Sequence, residues 1–427
     1  MFKKVLILTA IVLVSASPNL GAFPINWDGG GDGYWWGDAN NWNPNIVPDG
    51  SFQVTISGGS GVSVSLRQSR RIYGLRCSGK VDLGTAIGRV ELTLDPNGLV
   101  NYGDLSITGW GVPLFEIGGD VTNVSGAVLD FWGGDISGDV ENQTDATIRI
   151  NGKVNHDGDL ENNGLVTIGT SEELNVDRQV RNTGEIKIYG GGCTGDESFE
   201  NNSTGVIEGW GTIYGDQYLS NQGRIYAIGG SITVVSGGAI TNSGFLGNSA
   251  GTSLHVLHAG APSDVSNNGT IKVSAGGSVA FDCNLVNLED VNLLGGTLEV
   301  TSITQTVDAN FAGFGSITGD VLIDPNGLIE LNGPTNIVGN VTIDPNATLE
   351  ISDGTTLITG HTTCNNGTIH MIGGRAICQG GLTNNNCNII WEPGIYTNIA
   401  DFNLDGTVNF KDFADFANTW LWRASWY

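Results

Sequence analysis

The phrase Gly119-Asp120-Val121-Thr122-Asn123 returns as Gly138-Asp139-Val140-Glu141-Asn142 and again as Gly158-Asp159-Leu160-Glu161-Asn162. Each copy leads into a short alternating run that closes on Asp130-Phe131, Arg149-Ile150 or Thr167-Ile168. A unit with a period of about 20 residues, built of β-type residues and Asn/Gly corners, cannot bury its apolar side alone and must stack on copies of itself. The fold class that follows is all-β: a parallel β-helix, or β-solenoid, with coils of about 20 residues.

The corner phrase persists with variation. Its glycines at Gly164, Gly184, Gly205, Gly223 and Gly244 keep the same spacing of about 20 residues. Gly209-Trp210-Gly211-Thr212-Ile213 is echoed by Gly313-Phe314-Gly315-Ser316-Ile317, and Asp324-Pro325-Asn326 by Asp344-Pro345-Asn346. Residues 53–394 are therefore assigned to the solenoid, although Ala280 to Thr306 keeps the register poorly. The repeated Asn and Gly are expected to turn corners through positive φ. The register also predicts that Ile148, Val166, Ile186, Ile207 and Ile225 share one stacked ladder.

At the N-terminus, Lys3 and Lys4 precede an apolar run from Val5 to Val14 and then small residues, the pattern of a secretory signal peptide over 1–22. About ten apolar residues fall short of the roughly 20 that span a bilayer, so the mature chain is expected to be secreted or held at a cell surface without a membrane span. Residues 23–52 hold four of the eleven Trp. They are expected to cap an open solenoid end, the competing reading being a sugar-stacking platform. Trp27-Asp28-Gly29-Gly30-Gly31-Asp32-Gly33, followed by Asn41-Trp42 and Pro48-Asp49, resembles the opening of secreted bacterial β-solenoid surface proteins with autotransporter-associated strand repeats. Asp32 does not stand where the calcium-binding nonapeptide of β-rolls requires it, so this loop is expected to be a plain turn.

Eighteen Lys and Arg face 44 Asp and Glu, a net charge of −26. That balance opposes nucleic acid as a partner and favours cations. Parallel β-helices include pectin lyases and polygalacturonases, so polysaccharide cleavage is the natural enzymatic hypothesis. The short motifs shared by those glycosidases are missing, and Asp135 with Asp139, or Asp157 with Asp159, belong to repeated corners. His255 and His258 lie on a strand pattern that points residues three apart to opposite faces, so they are not expected to share an ion. The sequence favours a protein without catalysis; were it an enzyme, it would be a polysaccharide lyase or glycoside hydrolase. Of six cysteines, a bridge is expected among Cys364, Cys378 and Cys387, whereas Cys77, Cys193 and Cys283 suit disulfides and burial as small core residues equally.

After Gly394 the sequence changes character. Asp401, Asn403, Asp405, Thr407, Asn409 and Asp412 occupy positions 1, 3, 5, 7, 9 and 12 of a loop with Gly406 at position 6, the EF-hand spacing for calcium with Asp in place of the last Glu. Phe413, Phe416, Ala417 and Trp420 then fall on one helical stripe. Asp401-Phe402-Asn403-Leu404-Asp405-Gly406 with this helix resembles a single type I dockerin repeat, over 395–427. The resemblance implies calcium as the bound ion and a cohesin-like or cell-surface receptor as a partner, although dockerins carry two such loops and a second is lacking here. The sequence thus reads as a secreted structural or adhesive β-solenoid with a calcium-binding attachment motif. The alternative is a carbohydrate-binding or polysaccharide-degrading β-helix recruited by the same tail.

Overall fold

The computed structural model describes residues 22–85, 89–95, 97–109, 115–260 and 264–392. Among them the architecture is an all-β parallel β-solenoid with coils of about 20 residues, and the only helical turn is Ala39–Asn41. No helix among the described residues is long and apolar enough to cross a membrane. The chain forms two compact units, Met1–Ile225 with Ile232–Gly238, and Tyr226–Ser231 with Ala239–Tyr427.

In the first unit each regular coil has three short strands. Val140–Asn142, Thr147–Ile150 and Lys153–His156 make one coil, and Leu160–Asn162, Leu165–Ile168 and Glu173–Val176 make the next. Corresponding strands pair in parallel, Val140 opposite Leu160, Ile148 opposite Val166 and Val154 opposite Leu174. Alternate residues point inward, and burial follows the alternation: Ile148 and Ile150 are buried while Arg149 is exposed. Leu129, Ile148, Val166, Ile186 and Ile207 then stack residue on residue. Each is almost wholly buried, which stabilises the coil by about 2 kcal/mol per side chain. The predicted ladder is therefore present through Ile207, and Ile225 is likewise buried.

The reason for the repeated Asn differs from the expected one. Asn101, Asn123, Asn142, Asn162, Asn182, Asn201 and Asn221 end the first strand of successive coils and are buried. Positive φ is not found at any of them. Each amide nitrogen from Asn101 to Asn201 instead donates to the Oδ1 of the next Asn at 2.7–2.9 Å. Most also reach a backbone carbonyl one coil on, such as Val128 O at 2.8 Å and Thr147 O at 2.9 Å. A primary amide offers both donors and acceptors, so it repeats indefinitely along the stack with its polar groups satisfied.

The repeated glycines need room rather than an unusual φ. Gly164, Gly184 and Gly205 do not adopt positive φ. A Cβ on Gly184 would instead lie 2.1 Å from the Gly164 carbonyl oxygen of the coil before. The expected positive φ holds at other repeated corners, among them Gly98, Gly119 and Gly126. In the second unit it marks Asn326, Asn346, Asn366 and Asn386, one in each successive coil.

The second unit has the same coil. Asn242, Asn267 and Asn287 continue the buried amide pattern, and Gln305 takes the next place, accepting from Asn287 at 2.8 Å. Gln305 fills an Asn position and Asp290–Gln305 runs as one bent strand of 16 residues, which hides the repeat from Ala280 to Thr306. That stretch is nevertheless fully in the coil: Ser278 pairs with Thr297 and Leu285 with Ile303. The shifts of register near Leu294 and Glu299 account for the poor match read from the sequence. A disulfide joins Cys364 to Cys387, one coil apart, as the cysteine spacing predicts.

Candidate functional site

The carboxylates best placed in the sequence for hydrolysis serve the coil. Asp120 Oδ1 accepts the backbone N–H of Asp139 at 3.0 Å, Asp139 Oδ1 that of Asp159 at 2.9 Å, and Asp159 Oδ1 that of Gln179 at 3.4 Å. Asp135 accepts from Asn155 Nδ2 at 2.9 Å and lies 3.7 Å from Arg89. Asp157 meets Asp177 of the next coil: partial burial, then the Asp157 carboxyl beside it, holds Asp177 above the usual carboxylate range.

Aromatic residues divide between core and surface. Trp27, Trp36 and Trp42 are buried and pack edge to face with ring centroids 4.8 Å apart, and Trp42 Nε1 donates to the Trp36 carbonyl. Their faces are spent on one another rather than offered to a sugar. In the adjoining loop Asp32 Oδ1 accepts from the N–H groups of Tyr34 and Trp35 and from Asn41 Nδ2. That carboxylate closes a turn. Exposed rings occur between the second and third strands of the coils, where Trp132 is 55% and Tyr189 40% accessible. Trp210, from the coil after Tyr189, stands against it at 5.5 Å.

The two histidines of the H-x-x-H spacing separate, as the strand pattern requires. His255 pairs with Ala280 in the strand Ser253–His258. Beyond the Val256–Phe281 pair, His258 of one coil comes to the same corner as Asp282 and Cys283 of the next. The His258 imidazole is 1% accessible. Its Nδ1 lies 3.1 Å from Asp282 Oδ1, and its backbone N–H donates to Asp282 Oδ2 at 2.8 Å. Ligand atoms of His258, Asp282 and Cys283 all fall within 4.8 Å of one another. Burial, with the Asp282 charge second, pushes the Cys283 thiol up to about 11. Sequence reasoning missed this cluster, because Asp282 and Cys283 lie a whole coil downstream of His258. The signal was the coil itself: Ser253 pairs with Ser278, a separation of 25 that makes this coil longer than its neighbours.

The chain matches no family model, and no curated protein or solved structure matches it. Its functional reading therefore rests on its own residues. Asp401, Asn403, Asp405, Thr407, Asn409 and Asp412, predicted to hold calcium, lie outside the described residues, as do Met1 to Gly21 of the predicted signal peptide.

An apolar cavity of about 10 Å³ is lined by Phe131, Ile136, Ile148, Val166 and His156. It is lined by core side chains and has room for at most about one water.

Proposed function

We propose that this protein is an exported structural or adhesive scaffold, a β-solenoid carrying a calcium-binding attachment motif at its C-terminus. The observation that carries the scaffold reading is the use of polar groups. Inside, amides pass hydrogen bonds from coil to coil; at the corners, carboxylates accept the next coil's backbone N–H groups; outside, Asp130 pairs with Arg149 and Glu173 with Lys153. Side chains committed in this way stabilise stacking and are poorly placed to move protons on a substrate. Export follows from the pattern of residues 1–22, with residues 23–52 closing one end of the stack. Attachment follows from Asp401 to Asp412, whose three Asp side chains repel one another until calcium supplies the counter-charge.

A second reading, binding to polysaccharide, is favoured by Trp132, Tyr189 and Trp210 on one series of corners, where ring faces can stack on sugars. Affinity electrophoresis of the full chain through acidic and neutral polysaccharides separates the two readings, with product analysis of the same mixtures. The scaffold reading predicts no oligosaccharide release and no retardation. Retardation abolished by Tyr189→Ala with Trp210→Ala supports the second reading, and release abolished by a single Asp substitution overturns the scaffold reading in favour of a polysaccharide-degrading β-helix.

A further inference from the structure

We propose that His258, Asp282 and Cys283 form a binding site for a zinc-class divalent cation, one that clips two successive coils of the second unit together. The donor set is the first argument. An imidazole, a carboxylate and a sulfur within 4.8 Å of one another are the three ligand types that zinc takes, in the number that leaves one position of a tetrahedron for water or a further donor. Calcium and magnesium prefer oxygen alone, so the sulfur and nitrogen select against the ion proposed for the C-terminal motif.

The second argument is placement. His258 ends the strand of one coil, while Asp282 and Cys283 follow the paired strand Ser278–Phe281 of the next. Among the described residues the pairing of these two strands ends at Val256 and Phe281, and a shared ion would hold the coils just beyond it. The disulfide between Cys364 and Cys387 makes the same kind of link elsewhere in the unit.

The third argument is that the donors are already oriented. Asp282 is gripped by both the ring and the backbone N–H of His258, and Cys283 is 4% accessible. These contacts hold the imidazole and the carboxylate side by side, and an ion would take the place of the proton between them. Drawing the three donors together to tetrahedral spacing needs a movement on the order of 1 Å, with metal–ligand distances of about 2.0–2.3 Å at the end. On binding, Cys283 loses its thiol proton to solvent and ligates as thiolate, with no change of oxidation state. Asp264, whose charge acts on the Cys283 thiol and whose carboxylate accepts from Asn284 Nδ2 at 2.9 Å, adds negative charge near the site, and water takes the fourth position.

The test uses the full chain without thiol reductant, in about 20 mM calcium, well above the weakest dissociation constant expected for the C-terminal motif, with cobalt(II) and then zinc as the probes. One equivalent of cobalt is expected to give a near-ultraviolet thiolate-to-metal charge-transfer band and the visible intensity of tetrahedral coordination, both erased by zinc. Cys283→Ser should remove the band, and Cys283→Ser and His258→Gln should each weaken zinc at least about tenfold. Cys378→Ser should change neither. X-ray absorption of the zinc-loaded wild-type chain, with one sulfur bound to the metal, supplies a readout that no variant's folding can compromise. A wild-type chain that gives no charge-transfer band, or a band that survives Cys283→Ser, shows the cluster to be an ordinary His–Asp hydrogen bond beside a core cysteine and overturns the proposal.

Discussion

Asn142 donates through Nδ2 to Asn162 Oδ1 at 2.7 Å, one coil away, with both side chains fully buried. Asn162 repeats the bond to Asn182 and also reaches the Glu185 carbonyl. Asn162→Leu would keep the volume and strand both neighbours, at about 1–3 kcal/mol for each buried group left unpaired. Denaturant unfolding should show that loss, and Glu161→Ala on the outer face should stay within about 0.5 kcal/mol of wild type. Equal effects of the two substitutions would mean that the amide ladder contributes nothing.

Gly184→Ala brings a methyl group to 2.1 Å from the Gly164 oxygen. Neither side of that contact can yield without opening the coil, so a loss of about 1–3 kcal/mol is expected. Gly59, with open space where a Cβ would stand and no positive φ, makes the control: Gly59→Ala should be neutral or slightly stabilising.

His156 is buried in the first unit with its ring bonded to the Gly138 carbonyl. Burial is the leading influence and holds its pKa below the usual 6.5, against the pull of Gly138 and the nearby Asp139. The unfolded chain therefore takes up the proton first as the solution is acidified. Stability from the neutral ring is fully present above about pH 6.5 and is lost as pH falls through the lower folded value. Unfolding midpoints measured across that window should fall for the wild type more steeply than for His156→Gln; parallel profiles would contradict the assignment.

Much of this fold is legible in the sequence because stacking repeats itself. The steps from Gly119 to Gly138 and on to Gly158 translate directly into Val121 opposite Val140 and Val140 opposite Leu160. The use made of those residues is less legible. Asn142 reads as a corner residue, yet it is a strand residue turned inward. Gln305 disguises one rung because a longer amide does the same work. The cluster at His258 is invisible in linear spacing, since its partners come from a neighbouring coil whose length differs from the rest.

Reduction of Cys364–Cys387, partners separated by 23 residues, should cost about 3 kcal/mol locally. Hydrogen exchange should then quicken in Leu382–Asn385 and Asn388–Glu392 while Leu160–Asn162 in the first unit remains protected. Uniform acceleration across both units would show that the bridge does not act locally.

Calcium titration of the full chain by calorimetry tests the attachment reading most directly. A single event with a dissociation constant on the order of 10⁻⁴–10⁻³ M is expected, lost in Asp405→Ala and in Asp412→Ala while the circular dichroism of the solenoid is unchanged. Absence of binding at millimolar calcium, or binding that survives both substitutions, would contradict the calcium-dependent motif and leave the chain a scaffold without its proposed means of attachment.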